Sequence, residues 1–338
     1  MAFNTPLTHS ENYVFGRGVC YFAKFDANGR PMGERDLGNV PGLTLTVTSE
    51  KAEHFSSRSG LRRKDLSVTI SVAFDSTLTI EDMSPENLAL FVAGSVATVT
   101  QAATPVTNER IYNAESGREY QLGVSTSNIT GVRGVSSVVV KLYELANAAA
   151  RANSTAVVLG QIFKSSTDVF IVTTAGTTAG SAPTYAVAAV GDATTDGTAV
   201  VKFLGTTAAF TLTTHYIMSG EAARVGIIAG GNLALACDLY TEVTDGYLSL
   251  NVDYTPAANT RQQITSSGAG AVSGQFRFVA DNAEGDNRDL FISSCNLAAD
   301  GELPFITESE VASGTFTLGV NERDSSTPQI IIDGRVAA

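Results

Sequence analysis

The chain has 338 residues, 43% of them hydrophobic and 17% charged, and a formal net charge of −12. That acid excess excludes a protein whose work is gripping nucleic-acid phosphates, because such affinity comes mostly from Lys and Arg. The ample apolar content excludes a disordered tail and provides for about two to three small domains, or one core with large insertions.

Thr, Ser, Val, Ala and Gly dominate and Trp is absent, which favours β-strands joined by small-residue turns. Cys20, Cys237 and Cys295 are odd in number and widely spaced, fit neither a disulfide framework nor a zinc spacing, and read as reduced core or surface thiols. No cationic leader precedes an apolar stretch and no uninterrupted membrane-length span occurs, so a soluble chain made in a reducing cytoplasm is expected.

In chain order, residues 1–12 have no periodicity and read as an extended N-terminal arm. Tyr13–Asp26 is a β-rich run closed by the turn Asn28-Gly29. The organising stretch is Leu37–Ala93. Its alternating runs Leu43–Val47 and Leu66–Val72 put apolar side chains on one strand face and Thr or Ser on the other. The polar residues between them, Glu50–Asp65, read as a long projecting loop of an antiparallel hairpin. Ser84, Pro85 and Glu86 then open a short helix over 84–93, with Ser as N-cap, Pro at the first helical position and Gly94 as the stop.

Ser95–Asn108 reads as a connector, followed by short strands at Ile111-Tyr112, Tyr120–Val124 and Val135–Tyr143. Charge then thins out, and 155–205 reads as a separate inserted all-β (Ig-like) module of about five strands. Phe163, Phe170, Ile171, Tyr185 and Phe203 supply its core. The β pattern resumes at Val225–Ile228, Ala234–Tyr240 and Tyr247–Tyr254, Thr260–Ala271 reads as a polar loop, and Gly274–Ala280 pairs with Arg288–Leu297 across a turn. Thr315–Val320 and Gln329–Ile332 close the chain. The fold class is all-β, sandwich or barrel, with one short helix. The discontinuous core is expected over 13–150 and 210–338, either one split fold or two diverged halves.

Enzyme signatures are missing. His9, His54 and His215 stand apart from one another, and there is no Gly-x-Ser-x-Gly elbow and no Gly-rich phosphate loop ahead of a Lys. Carboxylate pairs leave a glycosidase dyad open, but no Trp or aromatic subsite accompanies them. The turn Asp281–Asp289 has oxygens enough for Ca²⁺ but the wrong ligand spacing, and Arg288 opposes a cation. No catalytic, cofactor or metal site is expected.

Residues 37–93 resemble the N-terminal half of the major tail tube proteins of long-tailed bacteriophages: a hairpin with a long loop, then a short helix ending in residues like Asn87–Phe91. Gly274–Val320, with strand, turn, strand, a Gly301-Glu302 turn and a Thr-rich last strand, is similar to that family's closing half. The resemblance implies a structural virion protein that self-assembles into stacked rings, forming the hollow tail tube through which DNA reaches the host. It implies a homo-oligomeric ring, either six-membered or a pseudo-sixfold trimer. The other partners it implies are the tape measure, tail terminator and distal tail proteins. Genomic DNA would pass through the lumen without specific binding, and there would be no membrane insertion. The location implied is the phage tail, after synthesis in the bacterial cytoplasm.

By the same resemblance, strands 43–50 and 65–74 line the barrel. The loop would reach the adjacent ring, and its cations Lys51, Arg58, Arg62, Arg63 and Lys64 read either as a solvated face or as mates of an acidic surface on the next ring, such as Asp281, Glu284, Asp286 and Asp289, with DNA contact as a third reading. The 155–205 module would be an outward decoration. The alternative is an adhesin-like virion surface protein that binds a host carbohydrate or protein.

Overall fold

A computed structural model of the protein describes residues 13–58, 60–268 and 270–334. The expected arm over 1–12 lies outside the described residues. Strands take 51% of the molecule and helices 8%, which makes the class all-β. The chain divides into two compact units, one of residues 1–99 and 262–338 and one of residues 100–261. The division therefore falls at 99/100 and 261/262, and the 155–205 segment lies inside the second unit.

The first unit opens with β1 (Gly18–Lys24), β2 (Arg35–Asp36), β3 (Gly42–Ser56), β4 (Arg63–Ile80), α1 (Pro85–Phe91) and β5 (Gly94–Gln101). The second holds β6 (Val106–Ala114), β7 (Glu119–Gln121), β8 (Val135–Leu142), α2 (Tyr143–Ala146), β9 (Ala149–Ala150) and β10 (Ala156–Val157). It continues with β11 (Ile162–Ser165), β12 (Asp168–Thr174), β13 (Gly176–Thr177), β14 (Ala193–Asp196), β15 (Ala199–Thr206), β16 (Tyr216–Ser219), β17 (Arg224–Ile227), α3 (Asn232–Thr244) and β18 (Leu248–Pro256). The chain returns through β19 (Asn259–Ser266), which pairs with β5, and completes the first unit with β20 (Val272–Ala280), β21 (Arg288–Ala299), β22 (Gly314–Val320) and β23 (Ile330–Gly334). The expected connector and polar loop thus pair with each other as β5 and β19. Alternating Thr, Val and Ile residues in polar company suit a solvated two-stranded ribbon.

The first unit is built on one antiparallel sheet in the order β2-β1-β20-β21-β22-β4-β3, with β23 added beside β21. Alternate residues Cys20, Phe22, Phe276, Ile292, Leu297, Phe316, Leu318, Leu78 and Ile80 form its buried face. Gly274 is required where β20 crosses β1, because a Cβ there would lie 2.5 Å from the Phe22 ring. α1 closes this core with Leu90 and Phe91, the latter edge-on to Phe316 at 5.6 Å. Ser84 caps α1 as expected.

Asn87 ties α1 down. It is buried, donates to the carbonyls of Leu37 (3.0 Å) and Asp82 (2.8 Å), and accepts from Arg35 (2.7 Å). Asn87→Ala is expected to cost about 1–3 kcal/mol, the penalty of stranding those partners, as read by denaturant unfolding.

In the second unit, α3 corrects the expectation of a strand over Ala234–Tyr240. Leu233, Ala236, Cys237 and Tyr240 recur at helical spacing and pack inward. Thr241 and Thr244 turn their hydroxyls back onto the carbonyls of Cys237 and Tyr240. Asp245, left-handed at φ 57°, ends the helix just ahead of Gly246. The structure holds three helices among the described residues rather than one, α2 being a single turn.

The 155–205 segment is all-β, in the sheet β14-β15-β12-β11-β9 with the β10–β13 pair, but it does not stand apart. β12 is buried on both faces. Phe170 and Val172 point into the segment's own core with Phe163, Val201 and Phe203. Val169 and Ile171 point into the larger core that also holds Leu233 and Cys237 of α3. The segment also begins earlier than residue 155, at β9. Arg151, just after β9, clamps Asp196 of β14 through Nε (2.7 Å) and a terminal nitrogen (2.6 Å).

All three thiols are core residues. Burial pushes Cys20, Cys237 and Cys295 up to about 12, the charge of Asp36 adding to the shift at Cys20 and those of Asp238 and Glu144 at Cys237. A disulfide-exchange reagent at pH 8 is expected to label none of them in the native protein and all of them after unfolding.

Candidate functional site

The feature that most needs explaining is the β3–β4 ribbon. Its pairing runs without a break in strand order from Gly42↔Thr79 to Ser56↔Arg63, leaving only residues 57–62 between the strands. The expected loop over Glu50–Asp65 is therefore mostly strand. Its polar residues are solvated cross-strand partners rather than turn residues: Lys64 pairs with Glu53 at 2.6 Å and His54 with Asp65 at 2.6 Å. Arg62 lies over the Phe55 ring at 5.5 Å.

Only the base of the ribbon is buried. Leu43 and Leu78 reach the core, and from Thr44 to Phe55 every β3 residue is exposed. The exposed residues include large apolar ones: Val47 is 59% accessible, Ile70 58% and Leu66 56%. β3 is also the edge of the sheet, so its outer backbone groups form an unpaired row fifteen residues long.

The register puts two bulges in β4, one between Ser71 and Thr69 and one between Leu66 and Lys64. The first matters most. Because β3 alternates without interruption, Val72 opposite Ser49 lies on the same face as Val47, whereas Val68 opposite Ala52 lies on the face of Thr48. The apolar stripe of β4 is continuous in sequence, yet it crosses from one face of the ribbon to the other. Both faces thereby carry exposed apolar residues, contrary to the expectation of one apolar and one Thr/Ser face.

The candidate residues separate along this unit. Arg58 and Arg62 stand at the ribbon tip, Arg63 and Lys64 begin β4, and Lys51 lies beside the first bulge. Ile80 pairs with Gly314, and Phe316 with Ala299, so those ends of β4, β22 and β21 point one way. The start of β21 at Arg288 and the start of β4 at Arg63 point the other way. The acidic turn between β20 and β21 therefore sits toward the same end of the sheet as the cationic tip.

That turn is tied both to itself and to residues 15–17. Asp289 accepts the Ala280 N–H (2.9 Å), Asp286 lies 3.8 Å from Arg288, the Asp281 N–H donates to the Arg17 carbonyl, and Glu284 bridges to Phe15. The charged groups that the sequence suggested as mates are thus found at one end of one sheet, facing the same way.

Among the described residues, no group of three or more His, Cys, Asp or Glu side chains is placed to hold a metal ion, and no helix is long and apolar enough to cross a membrane. A hollow of about 630 Å³ lined by Phe15, Arg17, Asn39, Val40 and Pro41 is open to solvent and brings no acid–base pair together.

What the site defines is a β-sheet protein with a long, solvated, edge-bearing ribbon. Residues 13–156, less than half of the chain, match a family described as "Protein of unknown function UCP028589". No curated protein matches the chain.

Proposed function

We propose that the chain is a self-assembling structural subunit, of the kind that builds the tail tube of a long-tailed bacteriophage. The observation that carries this reading is the two-stranded ribbon, which exposes apolar side chains on both faces, Val47 and Val72 on one and Val68 and Leu66 on the other, and ends the sheet in a fifteen-residue edge strand. An unpaired edge of that length beside exposed apolar side chains is an aggregation site in a monomer, and closing copies into a ring removes it. Neighbouring copies supply the missing backbone partners and cover the apolar residues.

The described residues hold one such ribbon per chain, which supports a six-membered ring over a pseudo-sixfold trimer of two-ribbon chains. A net charge of −12 supports a lumen through which DNA slides without a foothold. On this reading the further partners are the proteins that initiate, measure and terminate a tail.

Electron microscopy of the purified, untagged protein, with mass by light scattering, tests the assignment. Hollow rings or tubes are expected, and their rotational symmetry gives the copy number. A compact closed oligomer that encloses no channel would overturn the assignment in favour of a virion surface protein that binds a host carbohydrate or protein.

A further inference from the structure

β4 ends near a second exposed patch. The loop 300–313 joins β21 to β22 at the Ile80 end of the sheet. It is fastened at its base, where the Asp300 N–H donates to the Thr315 carbonyl (2.8 Å) and Leu303 approaches Gly314. Beyond that base, Phe305 is 89% and Ile306 91% accessible, side by side. The exposed carboxylates Glu302, Glu308 and Glu310 flank them, and no Lys or Arg occurs between residues 300 and 322. The ribbon tip is the inverse: Arg58, Arg62 and Arg63 flank the exposed Leu61 in sequence, with no acid between residues 57 and 64.

The two patches lie at opposite ends of one strand. β4 runs eighteen residues from Arg63 to Ile80, so they are roughly 55 Å apart at 3.3 Å per residue. They cannot meet within a copy. Two complementary patches facing opposite ways on one molecule make a head-to-tail contact, and such a contact does not close on itself but propagates.

We infer that the cationic tip of one copy docks on the Phe305-Ile306 loop of a second copy, Leu61 meeting the apolar pair and the arginines meeting Glu302, Glu308 and Glu310. The inference rests on the reading of the chain as a self-assembling subunit, and it names the contact that sets the direction of growth. In such a head-to-tail contact the acidic turn at Asp281–Asp289, which faces the same way as the tip, is not the mate.

The test compares three full-length chains with the wild type by sedimentation and electron microscopy at low and high salt. One carries Arg58→Glu, Arg62→Glu and Arg63→Glu. The second carries Glu302→Lys, Glu308→Lys and Glu310→Lys. The third carries Asp281→Lys, Glu284→Lys and Asp286→Lys. All the substituted residues are exposed, and matching melting curves confirm that each variant folds.

The tip and loop variants are each expected to weaken end-to-end association by at least about tenfold, leaving single rings. Mixing those two variants restores it, because each then offers the charge that the other lacks. The turn variant is expected to associate as the wild type does, and rising salt weakens wild-type stacking. Stacking unaffected in the loop variant, stacking lost in the turn variant, or no recovery on mixing would overturn the pairing while leaving ring formation intact. A wild type that forms rings yet does not stack at low salt and high concentration also overturns it. Absence of any ring would instead count against the subunit reading itself.

Discussion

Replacing Asp196 by alanine is expected to cost about 3–5 kcal/mol of stability in the second unit, because it leaves the Arg151 guanidinium buried without its counter-charge. Both side chains are withdrawn from water, Arg151 being 5% and Asp196 0% accessible. The carboxylate is fully used. One oxygen accepts from Arg151 (2.6 Å) and the Ala179 N–H (2.8 Å), the other from Arg151 Nε (2.7 Å) and the Tyr185 hydroxyl (2.7 Å). Arg151 in turn donates to the carbonyls of Ala179 and Ser181. The cluster therefore ties three stretches of chain, near residues 151, 179–185 and 196, over the ring stack of Tyr185 on Phe170. Removing both charges at once, as Arg151→Met with Asp196→Leu, is expected to cost less than the two single changes added, since no lone buried charge then remains.

The same cluster gives a pH dependence with a definite sign. Burial by itself would raise the Asp196 carboxyl, but the Arg151, Ala179 and Tyr185 hydrogen bonds outweigh it and hold the carboxyl below its usual range. A group depressed on folding contributes stability that is present above its unfolded value, about 3.9, and is lost as pH falls through the folded one. Denaturant midpoints of the wild type are therefore expected to fall below about pH 4. In Asp196→Asn the part of that fall due to this carboxyl should vanish.

The second large effect concerns assembly rather than folding. Val68→Lys and Val72→Lys, made separately, are each expected to abolish ring formation while shifting monomer stability by no more than about 0.5 kcal/mol. Each residue is exposed in the single chain, so little is lost on unfolding. In a ring each would lie against another copy, where an unpaired ammonium cannot be buried. The pair also reports on the bulge, since the two valines lie on opposite faces of the ribbon. Loss of rings in both variants means that both faces are covered; loss in one alone identifies the face that another copy occupies. Light scattering together with calorimetry on the same samples separates the two effects.

The sequence by itself determined the β class, the capped helix at Ser84, the pairing of Gly274–Ala280 with Arg288–Leu297 and the cores of the strands, because these follow from local alternation and capping chemistry. α3 was within reach of the sequence as well: Leu233, Ala236, Cys237 and Tyr240 have helical spacing, but a short apolar run preceded by Gly230-Gly231 and followed by Thr241 and Val243 reads equally as strand. Tertiary structure alone decided the rest. The polar half of the ribbon is strand only because cross-strand ion pairs and a partner strand hold it extended. The faces of Val68 and Val72 depend on a bulge that no alternation pattern reveals, since a one-residue slip in pairing inverts every side chain beyond it. The placement of the acidic turn toward the same end of the sheet as the cationic tip, and of the Phe305-Ile306 loop at the other end, follows from strand order in the sheet. Sheet order is set by contacts between residues more than two hundred positions apart, and no local pattern encodes it.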